Sequence, residues 1–158
     1  IKYIHEEKRL GTAGALSLLT DKKKPKEPFF VMNGDLLTNV NFEHLLDFHL
    51  SNHSKATMCV REYDFQVPYG VVSIKDGRIK TIDEKPTHKF FVSAGIYVLN
   101  PPCIGIIPKN QYYDMPSLFE KMIEGNNKVI SFPLHEYWLD IGQIDEYNRA
   151  NQEYDVNF

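Results

Sequence analysis

Apolar residues occur in short runs between polar segments that carry glycine or proline, which predicts alternating strands and helices. The compact run Phe29–Met32 is typical of a strand buried on both faces of a sheet. Asn41 can cap a helix from Phe42 to about His53, and a strand is predicted again at 56–60. The first half of the chain therefore predicts a parallel α/β sheet.

The pattern changes in the middle of the chain. The run VVSI, then Asp76-Gly77, then RIKTI predicts a β-hairpin, because Asp-Gly suits a two-residue turn. Further strands are predicted at 91–99 and 129–132, and Asp114 is expected to cap a helix that stops at Gly125. A hairpin inserted into alternating elements predicts an α/β fold with a mixed sheet flanked by helices.

Four shorter segments complete the prediction. Residues 1–5 alternate as a short strand would, and Thr12 is a suitable N-cap for the helix AGALSLL. The lysine-rich stretch DKKKPKEP at 21–28 predicts an exposed loop, and 144–154 predicts a closing helix.

Composition excludes several classes of protein. The 158 residues, 42% hydrophobic and 25% charged, are typical of one globular domain or most of a larger one. The net charge of -3 provides no basic excess for nucleic-acid phosphates, so we expect no nucleic-acid partner. No apolar run reaches the ~20 residues of a membrane span, and we expect no membrane partner. Cys59 lies in an apolar run, which indicates a buried thiol and a cytoplasmic location.

Two aspartates carry the main chemical signal. Asp35 in FFVMNGD and Asp140 in EYWLDIG each follow an apolar run and lie in a glycine-marked bend. Carboxylates delivered to one end of a sheet can hold a hard cation such as Mg²⁺. Each alone is equally well explained as a turn aspartate. The two together favour phosphoryl chemistry on a nucleotide.

Weaker signals surround this pair. LGTAGAL places Gly11 and Thr12 at a predicted helix start, where the backbone can approach a flat ligand, although such starts are common. Glu84 could accept sugar hydroxyls and Lys85 could hold a phosphate, with a surface charge pair as the simpler alternative. Gly70 and Gly95 interrupt strand-like runs, where either a ligand or another chain segment comes close.

Other catalytic signatures are missing from the sequence. His49 and His53 stand four apart on a predicted helix, but no third ligand follows at a recognisable interval. The patterns GxSxG, GxxxxGK[ST] and paired CxxC do not occur. Zinc enzymes, serine hydrolases and P-loop NTPases are therefore disfavoured.

Six segments in order resemble the sugar nucleotidyltransferases, or nucleoside-diphosphate-sugar pyrophosphorylases: LGTAGAL, FFVMNGDLLTNVNF, VPYGVV, EKP, VSAGIYVLNP and EYWLDIGQIDEYNRAN. The likeness runs from about Leu10 to Ala150 and is greatest for the mannose-1-phosphate guanylyltransferase-like branch. Each segment alone is weak evidence for the family, whereas six segments in the same order identify it specifically. The resemblance implies a Rossmann-like mixed sheet of the nucleotide-diphospho-sugar transferase type.

In that family a sugar 1-phosphate attacks the α-phosphate of a nucleoside triphosphate, and pyrophosphate leaves. The branch resemblance favours GTP as the triphosphate. It implies Asp35 and Asp140 as Mg²⁺ ligands and Lys85 as the holder of the sugar phosphate. It also implies that Gly11 and Thr12 lie against the nucleotide base. The residues implied around the sugar are Tyr69, Gly70, Glu84 and the backbone of Ala94 and Gly95.

One departure from the family pattern is large. The glycine-rich loop G-G-x-G-T-R-L and the downstream P-K-P lysine do not occur. We therefore expect residues 1–158 to be the C-terminal two-thirds of one catalytic domain that lacks its first βαβ unit, with a sugar-binding insertion within 55–135. On this expectation the full-length protein is the enzyme, and the 158 residues alone are inactive or nearly so.

Two alternatives stay open from the sequence. A non-catalytic subunit that senses sugar nucleotides could use the same fold. A glycosyltransferase normally shows a D-x-D pair, whereas Asn33-Gly34-Asp35 supplies one carboxylate. The base, the sugar and a homo-oligomeric state are also open.

Overall fold

The computed structural model describes residues 1–19 and 23–158, which form an α/β structure. In chain order the strands of the described residues are β1 (Phe29–Met32), β2 (Leu36–Thr38), β3 (Ala56–Gln66), β4 (Val71–Lys75), β5 (Arg78–Asp83), β6 (Thr87–Leu99), β7 (Val129–Pro133) and β8 (Trp138–Asp140). The helices are α1 (Gly11–Gly14), α2 (Phe42–Ser51), α3 (Met115–Glu124) and α4 (Ile144–Asn157), with 3-10 turns at Ala15–Leu18 and Pro101–Ile106.

The main sheet has the strand order β1-β6-β3-β7. Strand β6 runs antiparallel to both β1 and β3, whereas β3 and β7 are parallel. The predicted mixed sheet flanked by helices is confirmed. The parallel sheet predicted for the first half is wrong in its pairing, because β1 and β3 run in the same direction but β6 lies between them.

Strand β6 separates two hydrophobic cores. Tyr97 and Leu99 face a core that contains Met115 and Leu118 of α3. Ala94, Ile96 and Val98 face the opposite core, which contains Leu45 of α2. This alternation follows from strand geometry, since successive side chains point to opposite faces of a sheet. The half of β6 from Ala94 to Leu99 is therefore buried on both faces.

The prediction that Phe29–Met32 is buried on both faces is wrong. The segment is strand β1, but it lies at the edge of the described sheet and bonds to β6 alone. Phe30 and Met32 remain 38% and 39% exposed. A compact apolar run shows that a strand is present without showing how many neighbours it has.

Two antiparallel strand pairs lie outside this sheet. The predicted hairpin is confirmed as β4 and β5, and Asp76 and Gly77 both have positive φ, 52° and 73°, as a type I′ turn requires. The second pair joins β2 to β8, with Leu36 opposite Asp140. The sequence pattern does not predict β2, since three residues carry little periodicity.

Local helix signals are largely reliable. The side chain of Asn41 accepts a hydrogen bond from the His44 amide at 3.0 Å, as expected of the N-cap of α2. Helix α3 begins after Asp114 and ends before Gly125, as predicted, although the Asp114 side chain makes no capping hydrogen bond within α3. The strand predicted at residues 1–5 is wrong, because those residues adopt no regular structure. Of the predicted loop, residues 21 and 22 lie outside the described residues, and 23–28 contain turns and bends.

A buried polar cluster joins α2 to the sheet. His49 Nδ1 lies 2.8 Å from Thr57 Oγ1 and 2.9 Å from Ser54 Oγ. On the other side of the ring, His49 Nε2 lies 3.0 Å from Asn100 Oδ1, while Asn100 Nδ2 donates to the Ser54 carbonyl at 3.1 Å. Because Asn100 presents its oxygen to the ring, Nε2 is the donor in this contact. The cluster is a structural element of the fold.

No helix within the described ranges is long and apolar enough to cross a membrane.

Candidate functional site

The pairing of β2 with β8 brings together the two predicted aspartates. Asp35 lies in the turn that precedes β2, and Asp140 is the last residue of β8. Leu36 stands opposite Asp140, and the Ile141 amide donates to the Asp35 carbonyl at 2.7 Å. Two residues that are far apart in the sequence are thereby held side by side by backbone hydrogen bonds.

The charges that shift the pKa of Asp140 are negative. Partial burial raises the pKa of the Asp140 carboxyl, and the neighbouring charges of Asp35 and Glu146 raise it further. Glu146 lies in the first turn of α4, and its Oε2 is buried without a hydrogen-bond partner among the described residues. A buried, unpaired carboxylate oxygen is costly unless a cation or a donor satisfies it. The adjacent negative charges and the unpaired Glu146 oxygen therefore favour the binding of a cation at this point.

The donor set fits Mg²⁺ better than zinc. In the described part of the chain, no group of three or more His, Cys, Asp or Glu side chains is arranged to bind a metal ion. Mg²⁺ commonly uses one or two protein carboxylates and completes its octahedron with water and substrate phosphates. A structural zinc ion requires four protein ligands. Asp35 and Asp140 are therefore suitable ligands for Mg²⁺ in the presence of a phosphorylated substrate.

A cleft of about 330 Å³ begins at Asp140. Four of the residues predicted from the sequence line it: Thr12, Ala94, Gly95 and Asp140. Further lining residues with polar groups are absent from the prediction: Asn33, Ser93, Tyr97, Asp114 and Trp138. The cleft thus combines a carboxylate end, a floor on β6 and a wall formed by Thr12 and Asp114.

Two predicted residues lie beside the cleft rather than in its lining. Asp35 immediately precedes Leu36, and Gly11 immediately precedes Thr12, and both Leu36 and Thr12 line the cleft. The structure therefore brings the predicted metal ligands and the predicted base-contacting residues to one region.

The floor is rigid because its backbone is bonded on both sides. Trp138 Nε1 donates to the Ala94 carbonyl at 2.8 Å, and the Asn33 amide donates to the Gly95 carbonyl at 2.9 Å. Gly95 has φ 70°, and a Cβ there would lie 2.8 Å from Asn33 Nδ2. The close neighbour that requires glycine at this position is a segment of the chain itself.

Hydroxyl groups add hydrogen-bonding capacity to the floor. The Ser93 and Tyr97 hydroxyls lie 3.0 Å apart. Burial raises the pKa of the Tyr97 phenol, so it remains protonated at neutral pH. A pair of neutral hydroxyls can both donate to and accept from a polar ligand.

Thr12 does not cap its own helix, and that prediction is wrong. The N-cap position of α1 is Leu10, and Thr12 bonds instead to the start of α3. The Thr12 amide donates to Asp114 Oδ1 at 3.0 Å, and Thr12 Oγ1 accepts from the Met115 amide at 2.9 Å. Hydrogen bonds from the Thr12 amide and from the Tyr112 hydroxyl lower the pKa of Asp114. Asp114 is therefore ionised at the rim of the cleft.

The remaining predicted residues form a second group beside the hairpin, here called the hairpin group: Tyr69, Gly70, Glu84 and Lys85. Glu84 packs on Gly70, where a Cβ would lie 2.9 Å from Glu84 Oε2. Tyr69 is 75% exposed, and Lys85 has a positive φ of 46°. None of these four residues lines the cleft at Asp140. The structure thus divides the predicted site between a cleft and the hairpin group.

Sequence reasoning misses Asp114, Trp138 and Glu146. The sequence pattern presents Asp114 only as a helix cap, although its carboxylate bonds to a residue 102 positions away. Trp138 stands two residues before Asp140, and its being the sole tryptophan is a signal that could have singled it out. Glu146 shows no distinguishing local pattern, because its relation to Asp140 depends on the start of α4.

Comparisons with known proteins identify the family. The family model described as Nucleotidyl transferase matches residues 1–156, and the chain belongs to that family. The mannose-1-phosphate guanyltransferase of Debaryomyces hansenii is 35% identical over 153 residues, which are 93% of this chain and 42% of that protein. The chain spans less than half the length of the curated relatives it matches.

Solved structures confirm the fold. HddC from Yersinia pseudotuberculosis, complexed with GMP-PN, matches with a TM-score of 0.67 and 21% identity over 96% of this chain and 65% of that one. A Bacillus anthracis protein in complex with sucrose, described as a putative glucose-1-phosphate thymidylyltransferase, matches with a TM-score of 0.71 and 20% identity over 99% and 66% of the two chains. The fold is that of the nucleotide-diphospho-sugar transferases.

Proposed function

We propose that the full-length protein transfers a nucleotidyl group from a nucleoside triphosphate to a sugar 1-phosphate. A phosphate oxygen of the sugar attacks the α-phosphorus, the bond from the α-phosphorus to the bridging oxygen breaks, and pyrophosphate leaves. GTP and mannose 1-phosphate are the first substrates to test, because curated relatives are named mannose-1-phosphate guanyltransferases. The juxtaposition of Asp35 and Asp140 beside the cleft is the observation that carries the proposal.

Asp35 and Asp140 would hold Mg²⁺, which when bound supplies charge compensation for the phosphates. Oxygen ligands, the shared negative charge and the unpaired Glu146 oxygen support this assignment. The protein otherwise positions the two reactants, since phosphoryl transfer depends mainly on alignment and electrostatic stabilisation.

The other roles are divided between the two groups of residues. On the nucleotide side, Gly11 and Thr12 would lie against the base. On the sugar side, the Ala94-Gly95 backbone would form the floor, and its fixed carbonyls support that role. In the hairpin group, Glu84 would accept hydrogen bonds from sugar hydroxyls, and Lys85 would hold the sugar phosphate as a point charge. The other two members, Tyr69 and Gly70, would lie around the sugar.

The test is pyrophosphate release by the full-length protein from GTP and mannose 1-phosphate with Mg²⁺, followed by a panel of other triphosphates and sugar phosphates. We expect Asp35→Asn to lower kcat at least about 100-fold. The control is Lys75→Gln, a charge change at the exposed end of β4, which should leave kcat unchanged. Equal turnover by wild type and Asp35→Asn would contradict the metal role.

The products separate this proposal from its alternatives. Release of nucleoside diphosphate would favour a glycosyltransferase. If calorimetry shows that the protein binds a sugar nucleotide, but no pair of substrates is turned over, a sensing subunit would be favoured. Pyrophosphate release that requires both substrates would exclude both alternatives.

A further inference from the structure

The start of α3 and the segment Leu10–Gly14 are joined by reciprocal hydrogen bonds. The Tyr113 amide donates to the Leu10 carbonyl at 2.8 Å. In return, the Tyr113 carbonyl accepts from the Ala13 and Gly14 amides at 3.0 and 2.8 Å. Two segments that are far apart in the sequence therefore form one continuous wall of the cleft.

At this junction, Asp114 and Thr12 each accept a hydrogen bond from a backbone amide at the start of the other's helix. An N-cap aspartate ordinarily accepts from an amide in the first turn of its own helix. Asp114 makes no such bond within α3, and Thr12 Oγ1 accepts from the Met115 amide in its place. Asp114 Oδ1 instead accepts from the Thr12 amide at 3.0 Å and lies 3.4 Å from the Thr12 hydroxyl. Each residue thus satisfies a backbone donor of the other segment.

Both glycines of GTAG are explained by this junction. Gly11 has φ 79°, and a Cβ there would lie 2.5 Å from Asp114 Oδ1. A Cβ at Gly14 would lie 2.8 Å from the Gln111 carbonyl oxygen. The glycines permit close packing of the two segments, so the position of Thr12 depends on Asp114.

We propose that Asp114 is a positioning residue for nucleotide binding, which acts by fixing Gly11 and Thr12 in the wall of the cleft. The inference rests on the proposed function, which places these two residues against the base. Asp114 and Thr12 both line the cleft. The fold beneath them is held by fully buried apolar residues, among them Ala13, Met115 and Leu118. Removal of the Asp114 carboxylate should therefore displace the wall without unfolding the protein.

The test is calorimetry on the full-length protein with GTP in the presence of Mg²⁺ and, separately, with mannose 1-phosphate. Asp114→Ala should weaken GTP binding about tenfold, since small displacements of positioning groups cost this much or more. Asp114→Asn keeps an acceptor oxygen for the Thr12 amide and should restore most of the affinity. Mannose 1-phosphate binding should change less than about twofold, because its floor on β6 is fixed independently. Glu120→Gln removes an exposed carboxylate from the same helix and should change neither affinity.

Single and double variants of Thr12 and Asp114 distinguish a positioning role from a general loss of stability. Thr12→Val should reproduce the GTP defect, Thr12→Ser should not, and the Thr12→Val/Asp114→Ala double variant should bind GTP no more weakly than the worse single variant. Equal weakening of both ligands by Asp114→Ala, or additive losses in the double variant, would overturn the inference and leave the proposed function intact. Absence of GTP binding by the unsubstituted protein would overturn both.

Discussion

The Ile141 amide donates to the Asp35 carbonyl at 2.7 Å, and this bond extends the β2–β8 pair to the two candidate metal ligands. The backbones that carry the two carboxylates are therefore fixed relative to each other before any ligand binds. Such preorganisation is useful for charge compensation, because little rearrangement is needed during the reaction. It also leaves negative charges close together, which opposes folding.

Asp140→Asn should stabilise the metal-free protein. The pKa of Asp140 is raised in the folded state, so its ionisation disfavours the fold above the ordinary carboxyl pKa of about 4. Because the group is largely exposed, we expect a rise in Tm of only about 1–2 °C at pH 7. Thermal unfolding as a function of pH checks this. The difference from wild type should shrink below about pH 4, where the aspartate is protonated in both the folded and the unfolded state.

Glu146→Gln should weaken metal binding without abolishing it. Glu146 acts on Asp140 through its charge and has a buried, unpaired oxygen suited to a metal-bound water. Partners outside the ligand shell typically change metal affinity 10–100-fold, and we expect about tenfold for Mn²⁺ measured by electron paramagnetic resonance. Asp145→Asn, the adjacent charge in the same helical turn, is the matched control. Similar losses in both variants would show that only the overall charge matters.

Gly95→Ala should destabilise the protein by about 1–3 kcal/mol. The substitution places a Cβ at φ 70° and 2.8 Å from Asn33 Nδ2. Chemical denaturation measures the change. Gly105→Ala is the control, since a Cβ there meets nothing within 4 Å, and it should change stability by less than about 0.5 kcal/mol. If Gly95→Ala were equally neutral, the floor would be less rigid than the hydrogen bonds indicate.

Asn100→Ala should cost about 2 kcal/mol, because it leaves His49 Nε2 and the Ser54 carbonyl without their side-chain partner. Denaturation at pH 7 gives the value. Asn151→Ala removes a local bond on the surface of α4 and should change stability by less than about 0.5 kcal/mol. A loss no larger than that of the control would mean that water replaces Asn100 in the cluster.

Local features can be predicted well from the sequence. The turn at Asp76-Gly77 and the start of α2 at Asn41 are both determined by residues a few positions apart, so the local pattern is enough to predict them. The place of β6 between β1 and β3 could not be predicted, because a strand's neighbours are chosen by long-range pairing. For the same reason, the pattern around Asp114 predicts a helix start but not its bond to Thr12.

The candidate site shows the same division. The sequence places Asp35 and Asp140 together at the ends of strands in one sheet, whereas the structure joins them through the separate β2–β8 pair. The sequence thus predicts correctly that the two aspartates are close, but it does not predict the pair of strands that brings them together. The hairpin group is predicted mainly by the family resemblance, and its role in sugar binding stays a prediction.

The central claim is that Asp35 and Asp140 form one divalent-metal site. Titration of Mn²⁺ into the protein with GTP present, followed by electron paramagnetic resonance, tests it most directly. We expect Asp35→Asn and Asp140→Asn each to weaken Mn²⁺ binding at least about tenfold, and the double variant to lose little more than the worse single variant, because the two ligands share one ion. Wild-type Mn²⁺ affinity in both single variants would contradict the claim.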